Sequence, residues 1–170
     1  IGVSAVRGHE QALEAWQPTA EYLTSRVRRP FKIVPFDLAE IDGAVQRGEV
    51  DFVLTNPAKY AELEEGHGVT RIATMKVSSN GRELKAFGGV IFHRADRNDI
   101  REISDLKGKS FAAVQEISFA GWQTAWREFK ELGIDPHRYF SRVDFIGFPQ
   151  DRVVDAVLSG KNDAGTVRTG

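Results

Sequence analysis

Ala44-Val45-Gln46-Arg47-Gly48-Glu49-Val50-Asp51 leads into the apolar run Phe52-Val53-Leu54, and its spacing returns at Ala156-Val157-Leu158-Ser159-Gly160-Lys161-Asn162-Asp163, ahead of Ala164-Gly165-Thr166-Val167. In both copies an apolar helix end reaches a glycine, the residue that accepts the left-handed backbone of a helix stop. The chain then turns through a polar pair and enters a short apolar strand. The repeat predicts two structurally similar lobes. Superposing the copies sets Asn56 opposite Arg168, each just past the carboxyl end of its strand. Ligands of open α/β sheets bind outside those ends.

Outward from the repeat, short β-rich runs alternate with amphipathic stretches, as parallel-stranded α/β units require. Strands are expected at Ile1–Val6, Lys32–Phe36, Asp51–Thr55, Arg71–Val77, Phe87–Arg94, Ser110–Val114, Val143–Ile146 and Asp163–Val167. A polar loop containing Asn80-Gly81 should join the fourth and fifth. His9–Val27 reads as helical, with Leu13, Trp16, Ala20, Leu23 and Val27 on one stripe and Pro18 kinking or restarting it. Asn56-Pro57 reads as an N-cap with proline in the first turn. Ser118 is expected to cap a second-half helix that carries Phe119, Trp122, Trp126 and Phe129 at helical spacing and ends at Gly133.

Composition narrows the function by exclusion. The 170 residues are 41% hydrophobic and 28% charged, an ordinary soluble balance, with a formal net charge of -1. That charge argues against a general nucleic-acid or membrane-surface role, which wants a cationic excess. No apolar run approaches the ~20 residues that cross a bilayer. The chain opens directly on the strand-like Ile1-Gly2-Val3, as a trimmed segment would. With no cysteine, disulfides, thiolate metal sites and a cysteine nucleophile are excluded. No nucleophile elbow, Walker loop or dinucleotide fingerprint occurs. His9, His67, His93 and His137 lack metal-ligand spacing and read as surface or structural residues; Asp51 and Asp163, each ahead of a strand, read as caps or turns. Neither a catalytic set nor a metal or cofactor site is expected.

Anion-binding features remain. Asn56 and Ser118 each open a helix directly after a strand, one per lobe, and helix N-termini offer free amide hydrogens and partial positive charge. Arg168 and Arg7 follow strands in the same sense and supply forked donors for a carboxylate, sulfur oxyanion or phosphate. Tyr60, one turn past Asn56, and Phe119, in the first turn after Ser118, stand where they could touch such a ligand. Trp122, Trp126 and Phe129 read as lobe core.

These residues resemble the phosphate/phosphonate-type periplasmic binding proteins of the type II periplasmic-binding fold. The resemblance spans essentially the whole chain. It rests on Tyr22-Leu23, Gly48-Glu49-Val50-Asp51 with Asn56-Pro57-Ala58-Lys59-Tyr60, Asp105–Lys109, Gly133-Ile134-Asp135-Pro136 and Ala156–Gly165. Phe87-Gly88-Gly89-Val90-Ile91-Phe92, Thr55-Asn56-Pro57 and Gly165-Thr166-Val167-Arg168-Thr169 are further similar to sensor regions of bacterial membrane histidine kinases, tetrathionate sensors among them. Three departures from the phosphonate pattern stand out. Ser118-Phe119-Ala120-Gly121 replaces Ser-Thr-Ser-Gly, Gln150 replaces a histidine ahead of Asp151, and Phe87 replaces a tyrosine near the hinge. Two hydroxyl donors are lost and an arginine gained, which suggests an anion other than a phosphonate.

The resemblance implies two α/β lobes joined by a hinge, the first (1–90) incomplete and the second at 91–165, with crossings near 87–94 and 163–168 and hinge glycines at Gly88-Gly89 and Gly165. It implies a periplasmic or otherwise extracytoplasmic sensor domain of a signal-transduction histidine kinase, itself no enzyme, clamping a small oxyanion between the lobes. The ligand set is then Arg7, Thr55, Asn56, Tyr60, Phe87, Ser118, Phe119, Gln150 and Arg168, with transmembrane and kinase domains as linked partners and no nucleic acid. The alternative is the substrate-binding protein of an ABC transporter for phosphonate-like or other small anions. An enzyme on the same fold, of the porphobilinogen-polymerising type, needs a cysteine that is absent here. A transcription-factor effector domain is a further rival. Because the return to the first lobe should begin at Asp163–Val167, the segment completing that lobe is expected to be missing beyond Gly170. An exposed sheet edge, self-association as a homodimer or a loosely held Arg168 should follow.

Overall fold

The computed structural model describes residues 1–79 and 81–169, so the expected Asn80-Gly81 loop lies partly, and Gly170 wholly, outside the described residues. The chain divides into two compact units, Ile1–Arg71 and Ile72–Gly170.

The first unit runs β1 (Gly2–Ser4), α1 (His9–Val27), β2 (Val34–Phe36), α2 (Ile41–Gln46), β3 (Val53–Leu54) and α3 (Pro57–His67). Its sheet has the order β2-β1-β3 and is parallel throughout, with Gly2 opposite both Val34 and Val53. Parallel neighbours need a crossover, which α1 and α2 supply. After α2 the chain turns at Gly48, whose φ of 66° suits glycine. Helix α1 is a single element with Pro18 inside it. Its buried face matches the expected stripe at Trp16, Ala20 and Leu23 but not at Leu13 and Val27. Ala12 and Ala20 are buried and Trp16 half-buried, whereas Leu13 (41%) and Val27 (50%) are exposed. Two alanines on the inner face let the helix lie close to a very short sheet, with Trp16 packed beside them, while Leu13 and Val27 turn outward. The cluster under this helix is accordingly small, Val3, Ala5, Ala12, Ala20 and Ile33, while Leu38, Ile41, Ala44 and Leu63 are buried elsewhere in the unit.

The second unit opens with an antiparallel hairpin, β4 (Val77–Ser79) and β5 (Arg82–Leu84). Then come β6 (Gly89–His93), β7 (Ser110–Ala113), a wide turn at Phe119–Gln123 leading into α4 (Thr124–Glu131), α5 (Pro136–Tyr139), β8 (Arg142–Phe145), α6 (Asp151–Leu158) and β9 (Ala164–Arg168). The expected strand over Arg71–Val77 does not form. Only Val77 pairs, and Ile72 is 78% exposed. The run has strand-like residues but no partner for residues 71–76 among the described ones.

The four-stranded sheet has the order β6-β9-β7-β8. Its β8-β7-β9 part is parallel, the same arrangement as β2-β1-β3, and β6 is added antiparallel on β9 with Gly89 opposite Arg168. This pairing places β6 with the second unit, so the boundary falls ahead of the expected residue 90. Gly165, expected at a hinge, is buried inside β9. A Cβ there would meet the Ala112 carbonyl oxygen, Val153 and Val157 at 3.1 Å, so close packing requires the glycine. Strand β7 is buried on both faces, as parallel central strands are. Phe111 packs with Phe129 and Phe140 on one side, and Ala112 and Val114 meet Val153 and Val157 on the other.

Candidate ligand-binding site

In the second unit the site grows from the end of the β6–β9 ladder. The Thr169 amide donates to the Gly88 carbonyl (2.8 Å), and the Gly88 amide donates back to Thr169 Oγ1 (3.1 Å). This clasp fixes Phe87 beside Arg168. The Arg168 guanidinium carbon lies 4.1 Å from the Phe87 ring centroid, within cation–π range. Phe87 in turn meets Phe119 edge to face, with centroids 5.7 Å apart and planes at 87°. The Arg168 amide donates to Gln150 Oε1 at 2.7 Å. A backbone N–H needs an acceptor, so the carboxamide oxygen faces Arg168 and the NH2 group keeps its donors for another partner. Phe87, Phe119, Gln150 and Arg168 therefore form one cluster, and Arg168 is held by strand pairing, a ring and a glutamine rather than loosely.

Ser118 departs from its expected capping role. It is buried and its side chain makes no cap bond. The turn it opens is wide: the Gln123 amide donates to the Ser118 carbonyl at 3.0 Å, a five-residue step, a form frequent at functional sites. Gly121 explains the shape, since a Cβ there would lie 2.5 Å from Val114 Cγ2 and 2.6 Å from Ser118 Oγ. The chain slides inward against Val114 instead of winding tightly. Of the expected core aromatics, Trp122 and Phe129 are buried, but Trp126 is 41% exposed beneath Lys130.

In the first unit the expected residues gather at the carboxyl end of its sheet. Ser4 Oγ and Thr55 Oγ1 share a hydrogen bond of 3.0 Å, tying the ends of β1 and β3. Asn56 caps α3 as expected, its Oδ1 accepting from the Lys59 amide at 2.9 Å. The Tyr60 hydroxyl donates to Glu64 one turn along, and that bond raises its pKa. Tyr60 is thus engaged within its own helix. Arg7 sits exposed in the turn after β1.

Sequence reasoning missed several supports. Asp163 is more than a turn residue: its Oδ2 accepts from the Ser110 amide (2.8 Å) and hydroxyl (2.7 Å), and Oδ1 accepts from Arg97. Burial alone raises its pKa, but the Ser110 amide and hydroxyl and the Arg97 guanidinium outweigh it and hold the carboxyl at about 2. Arg97 also bonds Asp99, which Arg97 and Lys109 keep far below the usual carboxylate range. This network pins the entry of β9, and so its far end at Arg168. Thr124 and Thr166 carry buried hydroxyls with no partner among the described residues. Among the histidines, His9 comes to 3.6 Å from Asp37, with Glu40 close by, but all three are exposed.

Two parallel units of one strand order, with an antiparallel strand added to the second and hydrogen-bonding groups at the strands' carboxyl ends, define an α/β binding protein of the type II periplasmic class. The chain belongs to the family of periplasmic substrate-binding proteins of phosphonate ABC transporters, whose profile covers residues 1–170. It is 33% identical over 156 residues to the tetrathionate sensor histidine kinase TtrS of Salmonella typhimurium, an alignment covering 91% of this chain and 26% of that protein. Among solved structures, XAC2383 from Xanthomonas citri bound to ATP superposes with a TM-score of 0.77 at 23% identity, over 99% of this chain and 64% of that one. PhnD1 from Prochlorococcus marinus in complex with methylphosphonate gives 0.74 at 18% identity, over 98% of this chain and 62% of that one. The chain thus spans about a quarter of its curated relative and under two thirds of these neighbours.

Proposed function

We propose that the chain is the extracytoplasmic ligand-binding domain of a membrane sensor histidine kinase, that it takes a small oxyanion at Arg168, and that it has no catalytic role of its own. The cluster of Arg168, Phe87, Phe119 and Gln150 carries this reading. A guanidinium stacked on a ring keeps its in-plane N–H fork free for an oxyanion, and the Gln150 amide adds neutral donors beside it. Phe119 and Ala120 stand where phosphonate binders present hydroxyls, so the pocket offers fewer donors and more apolar surface than a phosphonate wants. Together with the similarity to a tetrathionate sensor, this favours a sulfur oxyanion. Ligand binding would shift the populations of states to which the linked signalling domains respond. The second reading, a transporter's substrate-binding protein, is favoured by the family match itself; finding a transmembrane helix and kinase region in the parent protein would support the first, and a transporter gene neighbourhood the second.

A thermal-shift screen of sulfur oxyanions, carboxylates and alkylphosphonates identifies the ligand, since binding to the folded state raises apparent stability. Calorimetry on Arg168→Ala with the best hit then tests the site. Loss of a charged hydrogen-bond partner is worth roughly 1.5–3 kcal/mol, or about one to two decades in affinity. Affinity within twofold of the parent chain sinks the assignment, and submicromolar binding of an alkylphosphonate sinks the ligand class.

A further inference from the structure

The first unit has a second pole, opposite its proposed ligand edge. In its parallel sheet, residues that follow strands lie at one end and residues that precede them at the other. Thr55, Asn56 and Arg7 follow β3 and β1; the segment 28–32 precedes β2, and Phe52 precedes β3. That amino end is aromatic and more basic than acidic, its acidic member being the exposed Asp51, which stands next to Phe52 and interacts with the Ile1 nitrogen. Arg26, Arg28, Arg29 and Lys32 are all exposed, beside Tyr22 (58% exposed) and Phe52 (44%). The overall charge of -1 conceals this concentration.

The patch is built rather than frayed. The Phe31 amide donates to Thr24 Oγ1 at 2.9 Å, the Ile1 backbone nitrogen donates to the Lys32 carbonyl at 2.7 Å, and the Phe31 and Phe52 rings lie 6.1 Å apart. Arg26 stands over the Tyr22 ring at 5.4 Å. Arg28 gives an independent sign. Its φ of 58° makes it the one non-glycine left-handed residue among those described, a helix-end position where glycine is the usual occupant. An arginine placed there carries a conformational cost, which points to a use for its side chain.

We propose that this pole docks on an anionic phospholipid surface. Arginine and lysine supply the attraction to acidic headgroups, and exposed tyrosine and phenylalanine suit the headgroup boundary, where an amphipathic ring has one wet and one apolar side. An acidic protein would satisfy the cations but leave the aromatic rings unexplained. The surface lies away from the ligand edge of the same unit, so docking there leaves Thr55 and Asn56 open.

The test is co-sedimentation of the 170-residue chain with vesicles of phosphatidylglycerol and phosphatidylcholine, with pure phosphatidylcholine vesicles and soluble polyglutamate as the other arms. Binding is expected to the anionic vesicles only, to weaken as salt shortens the Debye length from about 10 Å at 0.1 M, and to fall to background in Arg28→Glu/Arg29→Glu/Lys32→Glu. Each cation removed should cost roughly fivefold in partitioning. Tyr22→Ser should weaken it as well. Arg28→Gly separates docking from folding: it should bind less well while melting no lower than the parent chain. Equal sedimentation of parent and triple variant, none by either, or binding to polyglutamate alone would each overturn the proposal.

Discussion

Strands β1 and β7 hold the same place in their sheets, yet they are covered differently. Helix α1 presents Ala12 and Ala20 to the β1 sheet, while β7 carries Phe111 into contact with Trp122, Phe129 and Phe140. One strand order therefore supports two grades of packing over the central strand, even though the first unit also buries Leu38, Ile41, Ala44 and Leu63. Apolar burial stabilises in proportion to area, so the second unit should be the more robust. It also carries Arg168 on a strand that is central in its sheet, with β6 on one side and β7 on the other. The corresponding strand of the first unit, β3, is two residues long and lies at the edge of its sheet. A strongly packed half with the charged anchor, and a lightly packed half with helix-cap and hydroxyl groups, is what the comparison describes.

The sharpest way to break that comparison is to empty the better core. Phe111→Ala should cost about 3–5 kcal/mol, because a fully buried ring with three aromatic neighbours is removed from a strand with no freedom to collapse. Val3→Ala, in the first unit, should cost only about 2 kcal/mol. Urea unfolding followed by tryptophan fluorescence reports both, with Trp122 and Trp126 in the second unit and Trp16 in the first. A Val3→Ala loss as large as that of Phe111→Ala would show that the two cores do not differ as their packing suggests.

The next effect concerns the repeated aspartates. Asp51 is exposed, whereas Asp163 is held by Ser110 and Arg97. Its folded pKa, about 2, lies below the ordinary value of about 3.9. A depressed carboxyl contributes stability that is fully present above the unfolded pKa and is lost as pH falls through the folded one. The second unit should thus weaken between about pH 4 and pH 2. Discounted for its partial exposure, the carboxylate is worth about 2 kcal/mol. Asp163→Asn should lower stability by that much at neutral pH and flatten the acid limb, and Asp51→Asn should stay within about 0.5 kcal/mol. An unchanged acid limb in Asp163→Asn would remove Asp163 from this role.

Much of this was legible in the residues, and the failures share a cause. Local signals survived. The glycines that end α2 and α6, the Asn56-Pro57 cap and the repeated spacing all depend on backbone conformations that a few neighbouring residues impose. Pairing and packing did not show. Arg71–Val77 has strand composition but no partner along most of its length. Leu13 and Val27 read as core until a very short sheet selected the alanine face. Ser118 read as a cap because nothing local reveals that Gly121 must press against Val114. The site residues were named singly from the resemblance and the strand ends. That Phe87 lies on Arg168 follows only from an antiparallel pairing across 81 residues.

The smallest expected effect makes the two units more alike. Helices α1 and α4 occupy equivalent crossovers, and each ends in a left-handed residue. After α4 this is Gly133, with φ 72°, and the following Ile134 amide closes back on Phe129 at 2.8 Å. After α1 it is Arg28, with φ 58°, its amide donating to Thr24 at 3.0 Å. A side chain in this conformation costs roughly 1–2 kcal/mol, while glycine loses about 0.5–1 kcal/mol more backbone entropy on folding. Arg28→Gly should therefore stabilise the first unit by about 0.5–1 kcal/mol, a rise of a few degrees in its melting temperature. Gly133→Ala should lower the stability of the second unit by a similar amount, since nothing lies within 4 Å of the added methyl and only the backbone resists. Opposite signs at equivalent positions tie the difference to conformation rather than contact. A loss on Arg28→Gly would mean that the arginine side chain stabilises the fold itself and is not kept there at the fold's expense.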